Sequence, residues 1–74
     1  MPFDTIHSMK VTVNGEVREI ETGASLEDLV ASIGILNERI AIELNQSVIR
    51  KKDWPSTMVK NGDRVEIVHF VGGG

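Results

Sequence analysis

Apolar and polar residues alternate from Met9 to Val13, with Met9, Val11 and Val13 on one side and Lys10 and Thr12 on the other. That is the period of a half-buried β-strand. Asn14-Gly15 follows at once, the strongest short-range signal for a two-residue hairpin turn, and Val17 to Glu21 is the returning strand. Val17 and Ile20 are three apart and cannot share one face of a regular strand, so the pattern predicts a bulge or an early strand end. Thr22-Gly23 breaks the strand. Ser25 with Asp28 three residues on has the form of a capping box in which Asp replaces Glu. Leu26, Leu29, Val30 and Ile33 then fall at i, i+3, i+4 and i+7, one apolar stripe of a helix that Gly34 ends as a left-handed cap. Glu27 and Asp28 in the first turn suit the positive end of the helix dipole.

Alternation returns at Ile40-Ala41-Ile42-Glu43-Leu44, stops at Asn45-Gln46, and resumes briefly at Val48-Ile49, which predicts a second strand pair. Lys51 to Met58 has no clean period. Pro55 biases Trp54 toward extended geometry, so this stretch reads as a long connection with one helical turn at most, and Trp54 as a cap on a small core. Lys60-Asn61-Gly62-Asp63 is a turn before the last strand, Arg64 to Phe70. There Val65 and Ile67 face the core and His69 shares their side, as a structural histidine. Glu66, Val68 and Phe70 share the opposite face. Two readings of Val68 and Phe70 stand: a docking patch for a partner, or side chains covered by a connecting loop. The order hairpin, helix, strand pair, last strand is α+β, the outline of a β-grasp fold with one helix across a small mixed sheet. The periodicities do not fix the strand order within that sheet.

Seventy-four residues give one small domain, and a nucleotide-binding catalytic domain does not fit beside it. Residues 1–8 carry little periodic pattern and read as an N-terminal extension outside the fold, residues 9–71 as the domain, and residues 72–74 as a glycine tail. Cysteine is absent, which excludes a disulfide framework, a thiolate metal site and a persulfide on a side chain. His7 and His69 have no ligand partner at helix or strand spacing, so no metal is expected. The formal charge of −3 argues against broad affinity for nucleic acid, and Arg50-Lys51-Lys52 reads as a solvated turn. Asp63 and Glu66 near the tail have two readings, guides for a basic partner surface or, the favoured one, solvated groups of a turn and a strand. No run approaches the ~18 apolar residues of a membrane span, and the start lacks the apolar core of a signal peptide. A cytoplasmic protein is the expectation.

The most chemically suggestive segment is the end of the sequence, Phe70-Val71-Gly72-Gly73-Gly74. Glycine has no Cβ, so such a segment fits a narrow channel and lets its backbone approach a ligand closely. A terminal carboxylate is ionised at neutral pH and is a poor electrophile. It must be activated before it reacts, and adenylation does so by making AMP the leaving group. The chain has no phosphate-cradling loop, metal cluster or Ser/His/Asp constellation, so every catalytic group is expected from a partner.

Taken together, Val13-Asn14-Gly15-Glu16, the helix after Ser25-Leu26, Ala41-Ile42-Glu43-Leu44-Asn45, the lone Trp54, Asn61-Gly62-Asp63, Val65-Glu66-Ile67-Val68 and the triple-glycine ending resemble the ThiS family. These are the ubiquitin-like sulfur carrier proteins of thiamine biosynthesis, and the resemblance runs from Met9 to Gly74. It implies a carrier, not an enzyme, with no bound cofactor. A ThiF-like adenylyltransferase would use ATP to adenylate Gly74. A sulfur donor such as a cysteine desulfurase would then yield a thiocarboxylate, and a ThiG-like thiazole synthase would accept the sulfur. Gly74 would bear AMP and then sulfur, Gly72 and Gly73 would be the mobile neighbours, and Val68, Phe70 and Val71 are the candidate partner-binding residues. The tail is shared with carriers of molybdenum-cofactor synthesis and with tRNA-thiolating and protein-conjugating relatives. It also fits a plain β-grasp binding module, and at this level these alternatives stay open.

Overall fold

The computed structural model describes residues 8–36 and 38–70. Strand β1 (Ser8–Val13) and strand β2 (Glu16–Glu21) form the first hairpin. Ser8 pairs with Glu21, so the strand starts one residue before the expected Met9. Asn14 (φ 51°) and Gly15 (φ 84°) carry the two positive dihedrals that a tight hairpin turn of right-handed twist requires.

The expected bulge does not form. Register runs one to one from Ser8↔Glu21 to Val13↔Glu16, with Met9 opposite Ile20 and Thr12 opposite Val17. Ile20 points into the core and Val17 out, at 66% exposure. Leaving one valine in water costs less than opening a ladder that pairs all six residues of each strand, because each unpaired backbone group has to find another partner.

Helix α1 (Leu26–Ile33) begins as its sequence directs. The Ser25 hydroxyl accepts from Asp28 N–H at 3.0 Å, and the Asp28 carboxylate accepts from Ser25 N–H at 2.9 Å. Gly34 closes the helix at φ 90°. Leu26, Leu29 and Val30 are fully buried, and they meet Val11 of β1 and residues of the later strands in one core.

Strand β3 (Ile40–Leu44) and strand β4 (Ser47–Ile49) form the second hairpin, and strand β5 (Arg64–His69) ends the domain. The sheet order is β2-β1-β5-β3-β4; β1 and β5 are parallel and the remaining pairs antiparallel. The last strand in sequence is therefore the middle strand in space.

Between β4 and β5, Lys51–Ser56 is a 3₁₀ helix, longer than the single turn expected, and Trp54 lies within it instead of extended. Burial decides this. The indole is 2% exposed and its Nε1–H donates to the Ile49 carbonyl at 3.0 Å, which outweighs the local bias that Pro55 imposes. The connection is then tied to the helix start, Leu26 N–H to Thr57 O at 2.7 Å and Val59 N–H to Ala24 O at 3.0 Å.

Candidate functional site: the root of the tail and the outer sheet face

Strand β5 carries the chain to Phe70, and its position is over-determined from both sides. On the β3 side Leu44 pairs with Val65, Ile42 with Ile67 and Ile40 with His69, and Phe70 N–H donates to the Arg39 carbonyl at 3.1 Å. On the other side β1 stops pairing after Val13, where the hairpin turns away. Asn14 replaces the missing rung. Its backbone N–H donates to Val65 O at 2.9 Å, its Oδ1 accepts from Ile67 N–H at 2.7 Å, and its Nδ2 donates to Ile67 O at 3.1 Å.

The start of β5 is held in a similar way by the turn between β3 and β4. Asn45 N–H donates to Arg64 O at 2.8 Å, Asn45 Oδ1 accepts from Arg64 N–H at 2.9 Å, and Asn45 Nδ2 donates to Asp63 Oδ1 at 3.0 Å. Asp63 Oδ2 in turn accepts from Lys60 N–H at 2.7 Å. Asp63 is thus a structural brace between two turns and not the solvated group expected. Both asparagines sit at φ 51°, a dihedral this residue tolerates better than most, and only a side-chain amide offers a donor and an acceptor side by side. Their dipeptides announced turns; nothing in the local sequence announced the strand they would reach.

One face of the sheet packs on the helix and the other meets water. Val65 and Ile67 are buried as expected, while Val68 (58% exposed) and Phe70 (50%) lie open, so no connecting loop covers them. The ladder brings further residues to that outer face: Ala41 opposite Val68, Glu43 opposite Glu66, and Val48 opposite Glu43. Val48 is 69% exposed. The result is an apolar strip ending at Phe70, with two carboxylates set into it.

His69 keeps its expected side, opposite buried Ile40, but that side is no longer covered at the strand end. Its side chain is exposed and its Nε2 lies 2.6 Å from Glu38 Oε1. An imidazole buried at the strand end would need polar partners for both ring nitrogens, and the carboxylate in solvent supplies one without that demand. Val71, Gly72, Gly73 and Gly74 lie outside the described residues, as does His7 of the proposed extension. Among the described residues no group of three or more His, Asp or Glu could hold a metal ion, and no helix is long and apolar enough to cross a membrane.

A five-stranded mixed sheet with one helix across it, and a central last strand leading to a glycine end, defines a ubiquitin-like β-grasp protein. A solved structure of a thiamine biosynthesis protein, ThiS, from Geobacter metallireducens superposes with a TM-score of 0.76 at 30% identity, covering 89% of this chain and 100% of that one. The sulfur carrier protein ThiS of Bacillus subtilis is 39% identical over 54 residues, 73% of this chain and 80% of that protein. A thiazole synthase of Magnetococcus marinus is 36% identical over 66 residues, 89% of this chain but 20% of that protein. The chain thus spans a fifth of the length of that synthase. The family model described as the ThiS family matches residues 11–74, through the triple glycine, and the chain belongs to the ThiS family.

Proposed function

We propose that this chain is a sulfur carrier of thiamine biosynthesis whose reactive group is the carboxylate of Gly74. A carboxylate oxygen attacks the α-phosphorus of ATP in a ThiF-like adenylyltransferase, pyrophosphate leaves, and the inert carboxylate becomes a mixed anhydride with AMP. The outer sulfur of a persulfide, supplied through a donor such as a cysteine desulfurase, then attacks the acyl carbon and displaces AMP. A thiol reductant cleaves the S–S bond of the resulting acyl disulfide, and the thiocarboxylate so released serves a thiazole synthase of the ThiG type. The chain is the substrate of these enzymes and binds no cofactor of its own; ATP belongs to the partner. Cytoplasmic residence goes with this reading.

The observation that carries it is the family match running to the last glycine, in a chain whose last described strand is the central one of the sheet. Extended at ~3.3–3.6 Å per residue, Phe70 to Gly74 reaches about 17 Å, enough to pass from a docked body into a buried active site. Gly72 and Gly73 leave that path unobstructed. Val68, Phe70 and Val71 form the partner-binding root. The match to a thiazole synthase that contains a segment like this chain supports a partner of that class.

Pyrophosphate release on mixing the chain with ATP and the ThiF-like enzyme tests the reading. The full chain is expected to support release, whereas Gly73→Val and a chain lacking Gly73 and Gly74 keep the fold and support none. Release at the same rate from Gly73→Val would contradict it.

A further inference from the structure

On the outer face of the sheet, Glu43 of β3 and Glu66 of β5 are direct cross-strand partners. Like charges placed this way, with Cβ atoms about 4.5–5.5 Å apart, destabilise a sheet. Neither carboxylate has a hydrogen-bond or ion-pair partner among the described residues, and Arg64, two residues before Glu66 on the same face, pairs with neither. The two acids are flanked by Val48 on one side and by Val68 and Ala41 along the strands, and the strip continues to Phe70, where the tail starts.

A second copy of the chain would bring the same two negative charges to this surface, which disfavours face-to-face self-association. A cation relieves the repulsion instead. We infer that this face receives a basic side chain of the activating enzyme, an arginine or lysine seated between Glu43 and Glu66, with apolar contacts to Val48, Val68 and Phe70 around it. A guanidinium suits the site best, since its planar fork offers donors to two carboxylates at once. The inference rests on the reading of Gly74 as the adenylated group, because an enzyme that takes the glycine end has to dock beside Phe70, where the strip ends. The carboxylate pair then sets the approach and register of docking, and the valines and Phe70 supply contact area.

The test measures affinity of the full chain for the ThiF-like adenylyltransferase of the same organism at low and at high salt. Three forms are compared: the unchanged chain, Glu43→Gln with Glu66→Gln, and a control, Glu21→Gln with Glu27→Gln, that removes the same charge elsewhere. The paired variant is expected to bind about tenfold more weakly at low salt, with the gap closing at high salt, its thermal midpoint equal or higher, and the control unaffected. Equal binding by the paired variant at both salts overturns the inference, and so does an equal loss in the control, which would show a general charge effect. An unchanged chain that binds but forms no acyl-adenylate contradicts the functional reading alone. One that is adenylated while the paired variant binds equally well contradicts this inference alone, and absence of binding by the unchanged chain contradicts both.

Discussion

Asn14 shows how much one side chain decides here. Its amide supplies the rung that β1 cannot, bonding both the N–H and the C=O of Ile67 across 53 residues of sequence. Asn14→Ala is expected to cost about 1–3 kcal/mol in urea unfolding, for two stranded backbone groups and an alanine at positive φ. Asn14→Gly should recover the dihedral part only. A loss below about 0.3 kcal/mol for Asn14→Ala would show that water replaces the amide fully. Phe70 belongs to the opposite category, half exposed on the outer face. Phe70→Ala should leave stability within about 0.5 kcal/mol while weakening binding to the activating enzyme. A large fall in the unfolding midpoint with unchanged affinity would make it a core residue instead. Period two put Val68 and Phe70 on one face and His69 on the other, but the exposure of all three was not legible, because alternation assigns a side and not whether that side is covered.

At the scale of elements, local signals specified ends better than middles. Ser25, Asp28 and Gly34 mark the two ends of α1 through hydrogen bonds and a dihedral that belong to those residues alone. Ser25→Ala removes the acceptor for Asp28 N–H and is expected to destabilise by about 1 kcal/mol, read from thermal or urea unfolding; no change would mean that Asp28 alone caps the helix. The second strand and the connection after β4 were misread for one reason: tertiary contacts overrode a local preference. The complete β1–β2 ladder kept Val17 on the outer face without a bulge, and the Trp54 bond to Ile49 held a 3₁₀ helix against Pro55. Trp54→Phe should therefore cost about 1–3 kcal/mol, for an unpaired Ile49 carbonyl and lost packing, and a neutral result would locate the stabilisation of that segment elsewhere.

For the whole molecule, the sheet order sets the geometry on which the proposed carrier role rests. Periodicity showed two hairpins, a helix and a last strand, but pairing of β1 with β5 depends on backbone hydrogen bonds between segments some fifty residues apart, which no local pattern encodes. That pairing puts β5 in the middle of the sheet, anchors the tail root from both sides, and sets Val68 and Phe70 beside it. A central last strand, an open outer face and a glycine-ended sequence are the parts that the proposed carrier role uses. Whether Gly74 carries the sulfur is decided most directly by intact mass spectrometry, with fragmentation of the C-terminal peptide. The chain would be incubated with ATP, the ThiF-like enzyme, a sulfur donor and a thiol reductant, with a second known carrier as a positive control. The account predicts a mass gain equal to one oxygen exchanged for one sulfur, located at Gly74 and absent when ATP is left out. An unmodified Gly74 beside a converted control carrier would contradict it.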